Sequence, residues 1–216
     1  VIRLLFVYTA LLLTAAQTIP LNDASRLDLH GVEAKATTYK GSPALRVTET
    51  PGNRAESFAA LKGVTFHNGT IDLDVAGSPA ANVGEGARGF IGLAFHTAPD
   101  AKRFECFYIR PTNGRADDQL RRNHSTQYIS VPDWPWERLR KESPGVYESW
   151  TDLVPGEWTH LRIVVQGTNA SLYVGGAAQP CLLVHDLKLG DVSGGLALWI
   201  GPGTEGYFRN LVVQER

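Results

Sequence analysis

The chain has 216 residues, with 21 basic and 22 acidic side chains and a formal net charge of −1. That balance excludes a strongly basic nucleic-acid binder and an acidic disordered chain, and 43% hydrophobic residues suffice for a sizeable core. The 22 glycines and 12 prolines favour short strands joined by turns over long helices, and the length suits one all-β domain.

In chain order, the first residues carry Arg3, an apolar run from Leu4 to Leu13, then small Thr14, Ala15 and Ala16. This layout predicts a signal peptide over residues 1–18 ahead of a domain at 19–216, and hence a secreted or periplasmic protein. A buried N-terminal strand or helix is the alternative for the same residues. The apolar run is shorter than the roughly 20 residues a membrane span needs. No later stretch approaches that length, so no membrane span is expected.

Residues 44–48 read as a strand. Residues 69–75 alternate cleanly, with Ile71, Leu73 and Val75 inward and Asp72 and Asp74 outward. Residues 77–88 are rich in Gly, Ala, Pro and Asn and read as a loop. The near-continuous apolar run at 89–96 suits a strand covered on both faces. Along 103–110, Phe104, Cys106, Tyr108 and Arg110 share one face, and Glu105, Phe107 and Ile109 share the other. Residues 157–166 put Leu161, Ile163 and Val165 on one face. They turn at 167–169 and return through 170–174, the clearest hairpin in the chain. Residues 195–200 and 207–213 supply the closing strands. No long window outside the first segment has helical periodicity.

Residues 103–142 crowd planar polar groups and aromatics into a short span. Arg110, Asn113, Arg115, Arg121, Gln127 and Tyr128 precede Trp134 and Trp136. Such groups suit a saccharide, whose hydroxyls take hydrogen bonds from planar side chains while its ring face stacks on Trp or Tyr. An excess of basic over acidic residues in this span points toward an anionic group such as a uronate or sulfate. The same residues also fit a salt-bridge network that ties down a long loop, with the two tryptophans sealing it against the core.

Three residues are candidates for catalysis. Glu105 is a general acid if its face lines a cleft, and a buried carboxylate needing a partner if that face is core. His124 titrates near neutrality. With Tyr108 and a neighbouring Arg, it would supply what a β-eliminating lyase needs. A glycoside hydrolase instead needs two carboxylates about 5–10 Å apart, for which Glu105 with Glu205, Asp117 or Glu148 are the available pairs. No histidine pair has metal-ligand spacing, so no metal or cofactor is expected. Calcium at Asp117, Asp118 or the 82–85 loop is left open. Cys106 and Cys181 either pair in an oxidising compartment or stand as separate buried thiols. Sequons begin at Asn68, Asn123 and Asn169. Phosphate-loop, dinucleotide-binding and Gly-x-Ser-x-Gly patterns are absent.

The segment GEWTHLRIVVQGTNASLYVGG, residues 156–176, resembles the hairpin of laminin-G-like and concanavalin-A-like domains. The tail GGLALWIG with GYFRNLVV, and the early FHNGTIDLDV, look like further strands of the same fold. Within that group the chain is similar to exported bacterial 3-keto-disaccharide hydrolase-like and glucanase-like domains. The resemblance covers roughly residues 30–214. It implies an all-β, two-sheet antiparallel jelly-roll sandwich whose concave face holds glycan. Laminarinase-type hydrolases carry a Glu-x-Asp-x-Glu strand, but Asp72-Leu73-Asp74 has no Glu. The Gln-Ile-His strand of the lyases is also missing. The expected function is therefore a secreted carbohydrate-interacting protein, either glycoside hydrolase-like or glycan-binding. A polysaccharide lyase and a non-catalytic interaction module are the alternatives. The expected partner is an oligo- or polysaccharide and not a nucleic acid.

Overall fold

A computed structural model describes residues 15–53 and 55–216. Most of the expected signal peptide, residues 1–14, lies outside the described residues. The strands are β1 (Gln17–Ile19), β2 (Leu27–His30), β3 (Val32–Tyr39), β4 (Ser42–Glu49), β5 (Ser57–Leu61), β6 (Gly69–Pro79), β7 (Ile91–Thr97), β8 (Phe104–Ile109), β9 (Thr126–Val131), β10 (Glu148–Ser149), β11 (Thr159–Gln166), β12 (Asn169–Val174), β13 (Leu182–Val184), β14 (Gly195–Ile200) and β15 (Thr204–Glu215). Two short helices, α1 (Gln119–Asn123) and α2 (Trp136–Glu142), interrupt them around β9.

The strands form two antiparallel sheets. One has eight strands, in the order β13-β12-β11-β6-β15-β4-β3, with β1 beside β15; the other has seven, in the order β10-β9-β8-β7-β14-β5-β2. The predicted alternation in β6 holds: Ile71, Leu73 and Val75 are fully buried and face the second sheet. Its contributions to the shared core include Ile91, Leu93, Phe107 and Ile200, all fully buried. Closure between the sheets is tight. A Cβ added to Gly206 of β15 would lie 2.9 Å from Ile200 Cγ2 and 3.0 Å from Ile91 Cδ1. This contact fixes the inward side of β7 and β14, and by strand alternation it fixes the outward side. Each buried Leu, Ile or Phe contributes about 1.5–3 kcal/mol relative to leaving it exposed.

The hairpin at 166–169 forms as read, with Gln166 opposite Asn169. Gly167 has φ +57°, the left-handed first position that a type II′ turn requires. β7 is buried along its whole length, as its near-continuous apolar run implied. Two features depart from the sequence reading, and a third settles a choice it left open. Residues 126–131 are a strand between β8 and β10 rather than part of a long loop. The two helices are too short to carry a readable period; Asp118 starts α1 by accepting the Arg121 N–H at 3.0 Å. Cys106 and Cys181 are separate thiols, the first buried in β8 and the second half-buried before β13.

Candidate functional site

The outer face of the seven-stranded sheet carries a cleft of about 920 Å³. Its floor follows from register. Phe58, Trp199, Gly92, Tyr108 and Gln127 lie side by side across β5, β14, β7, β8 and β9, and of this row Trp199 and Tyr108 line the cleft. Gly92 has no side chain, so the rings on either side lean over it. Tyr108 and Trp199 meet with centroids 4.7 Å apart, inclined at 35°. Phe90 and Val131 extend the apolar surface. Trp136, at the start of α2, is 39% exposed and forms one wall, and the glycine-rich loop at 83–87 forms another. Two carboxylates, Glu56 and Glu137, face the cleft, and its described lining residues include no Lys or Arg. Trp199 Nε1 donates to Glu56 Oε2 at 2.9 Å, which fixes both indole and carboxylate.

Arg110 lies beside Tyr108 outside the cleft lining, only 5% exposed. Its Nη2 donates to the Tyr108 hydroxyl at 2.9 Å and to Gln127 Oε1 at 3.2 Å, and Nη1 donates to the His124 carbonyl at 2.8 Å. Every one of these acceptors is neutral, and burial pushes the guanidinium pKa down. Burial likewise pushes the Tyr108 phenol up, so it stays protonated. Its oxygen takes the Arg110 N–H, which leaves its own O–H to donate.

A second cavity, of about 610 Å³, opens between α1, α2 and β10. Arg140 grips the Glu148 carboxylate, with Nε at 3.2 and 3.1 Å from its two oxygens and Nη2 at 2.7 Å. His124 Nδ1 lies 2.7 Å from Glu148 Oε2 but off the line a hydrogen bond needs, so it has no aligned partner. Burial lowers the His124 pKa, and Arg140 and Arg110 add to this against the opposing pull of Glu148. The guanidinium of Arg140, which lines this cavity, sits 4.6 Å above the ring of Trp136, which lines the cleft.

Several residues singled out from the sequence lie elsewhere. Glu105 is enclosed between the sheets: its carboxylate accepts from Tyr128 OH at 2.8 Å and the Leu189 N–H at 3.1 Å, and meets His96 Nδ1 at 2.9 Å. A fully buried carboxylate with these partners does not reach a substrate, which corrects its reading as a general acid. The other carboxylates offered as its mate are scattered. Glu205 pairs with Arg46 at 2.6 Å on the eight-stranded sheet, and Glu148 faces the second cavity. Tyr128 is buried with Glu105, and Gln127 is buried while donating to the Tyr128 and Tyr147 carbonyls. Asn113 is buried too, its Nδ2 donating to the His124 carbonyl at 3.2 Å. Arg115 makes a two-point surface bridge to Asp152, at 2.7 Å on each arm. Arg121 closes α1 with its Nε enclosed and unpartnered. Trp134 is held between Arg138 and Lys188, whose charges lie 3.7 and 4.5 Å from its ring.

Of the predicted set, the cleft keeps Tyr108 and Trp136, with Arg110 beside Tyr108, while His124 lines the other cavity. The lyase grouping of His124, Tyr108 and Arg therefore does not converge on one space. The sequence reading missed Trp199, Glu56, Phe90 and Glu137. Trp199 had a signal: in GLALWI it takes the opposite parity to core-facing Leu198 and Ile200.

No family model matches the chain, and no curated protein does. Solved structures do. Carbohydrate binding module CBM66 from Bacillus subtilis is 14% identical, with TM-score 0.53 over 85% of this chain and 95% of that one. A Bacillus subtilis protein of unknown function with a galectin-like fold is 12% identical, with TM-score 0.59 over 94% and 97%. Domain 4 of AbnA, an extracellular arabinanase from Geobacillus stearothermophilus solved with arabinotriose, is 16% identical, with TM-score 0.53 over 94% and 92%. These likenesses show the fold, a concanavalin-A-like jelly roll.

Proposed function

We propose that the cleft on the seven-stranded sheet binds a neutral saccharide. The observation that carries this reading is Trp136, 39% exposed on the wall of the cleft, above a floor made by the buried Tyr108–Trp199 pair and beside Glu56 and Glu137. Flat aromatic faces cover the C–H side of a sugar ring, while carboxylates accept from its hydroxyl groups. Two carboxylates without a described Lys or Arg disfavour the anionic sugar that the composition of residues 103–142 pointed toward. Among the basic residues there, Arg115 pairs with Asp152, Arg138 with Glu142 and Arg140 with Glu148. The fold likeness to a carbohydrate binding module and to an arabinanase domain supports the same ligand class.

Hydrolysis is a second reading, favoured by the presence of Glu56 and Glu137 in the same cleft. One would act as acid and the other as base or nucleophile. Export fits the first segment. Cleavage after Ala16 would leave Gln17–Ile19 whole as β1, whereas removal through residue 18 would take two of its three residues.

The test is a glycan array and polysaccharide pull-down with the wild type, Trp136→Ala and Trp199→Phe, with the bound polysaccharide assayed for new reducing ends. Binding that weakens in both variants without product supports a binding module. Product lost in Glu56→Gln and Glu137→Gln supports the hydrolase. Failure to retain any neutral glycan overturns both.

A further inference from the structure

We infer that the cavity between α1, α2 and β10 is a second saccharide site, an inference that rests on the reading of the cleft as a neutral-saccharide site. Its platform is Trp150, 50% exposed yet held in place because Nε1 donates to the Gly114 carbonyl at 3.1 Å. An indole already fixed loses little further freedom when a ring stacks on it. Leu120 on α1 is 66% exposed and extends this apolar rim.

The polar groups at the base are planar and nearly charge-balanced. Glu148, its side chain 4% exposed, is offset by Arg140, and His124 is 16% exposed. The depressed His124 pKa keeps the imidazole neutral at neutral pH. Such a base offers donors and acceptors without net charge, which suits hydroxyls better than phosphates or carboxylates. Arg140 contributes to this cavity and stacks on Trp136, a wall of the cleft. A polysaccharide that passes over this stack therefore engages both sites, and the second contact acts at high effective concentration.

The experiment follows the indole N–H signals of the 5 tryptophans by nuclear magnetic resonance in the full chain. They are assigned by single Trp→Phe substitutions and titrated with arabinotriose and with a β-glucan tetrasaccharide. In parallel, affinity electrophoresis in arabinan and β-glucan gels compares the wild type with Trp150→Ala. The expected result is that both Trp199 and Trp150 signals move, and that Trp150 still moves in Trp136→Ala. Trp150→Ala should weaken polysaccharide retention about 10-fold or more while leaving the trisaccharide response of Trp199 intact. A silent Trp150 with unchanged retention in Trp150→Ala overturns the second site and leaves the cleft standing. Movement of Trp150 without Trp199 supports the second site and overturns the cleft. If neither moves and neither gel retains the protein, both readings fall.

Discussion

Glu105 and His96 meet at 2.9 Å in the centre of the sandwich, and neither side chain reaches solvent. The other ring nitrogen of His96 faces the His67 carbonyl at 2.9 Å, and Tyr128 and the Leu189 N–H complete the shell around Glu105. The pair joins β7 to β8, and through its neighbours it holds β9 and the 188–189 turn. It is a structural device enclosed away from the cleft.

Removing one partner leaves the rest of the network buried and unsatisfied. Glu105→Ala should therefore cost about 1–3 kcal/mol for each buried hydrogen-bonding group it leaves unsatisfied. Urea denaturation measures the loss. The same variant, kept folded at low temperature, should bind saccharide as the wild type does.

Gly92 separates Trp199 from Tyr108 in register and, having no side chain, lets their rings meet. A Cβ there would lie 2.1 Å from the Phe107 carbonyl oxygen and 2.7 Å from Tyr108 Cβ. Gly92→Ala should cost about 1–3 kcal/mol through overpacking and push Tyr108 away from Trp199. Near-ultraviolet circular dichroism should register the lost ring pairing, together with weakened binding.

His124 sets a pH dependence. Burial, together with Arg140 and Arg110, holds its folded pKa below the ordinary histidine value. As pH falls through the unfolded value of about 6.5, the unfolded chain takes up a proton that the folded chain resists, so stability falls with it. The loss ends once pH passes below the folded pKa. His124→Gln should flatten this part of the stability profile between about pH 7 and 5. Urea midpoints of the two proteins across that range check the sign.

The N terminus offers a direct check on export. β1 begins at Gln17, which pairs with Val213, followed by Thr18 with Val212. If the proposed export is right, mass spectrometry of the secreted protein should find Gln17 at the mature end. A mature end at Ile19 should lower the melting temperature, because most of β1 is then missing.

The strand system was largely legible because its signals are local. β6 alternates, β7 carries a near-continuous apolar run, and Gly167 marks a turn between two alternating runs. The cleft was legible only in part. Tyr108 and Trp136 stood out by type, but their neighbours depend on strand order. Trp199 reaches Tyr108 because β14 and β8 flank β7, a long-range relation that no local pattern encodes. The parity of Glu105 left two faces open, and only the packing of Ile91 and Ile200 against Gly206 decided between them. The dense polar run at 110–128 drew attention as a site, yet much of it is internal hydrogen bonding that positions two short helices and β9. The chemistry of a buried network and of a binding surface uses the same residue types.

The central claim is that the Tyr108–Trp199 floor beside Trp136 holds a neutral saccharide. Isothermal titration of the strongest neutral oligosaccharide from the array into the wild type and Trp136→Ala tests it most directly. Trp136 is partly exposed, so this change should leave the fold intact. The account predicts saturable binding by the wild type and a loss of about 10-fold or more in the variant, the scale of a lost stacking contact. Equal affinity in the two proteins would contradict it.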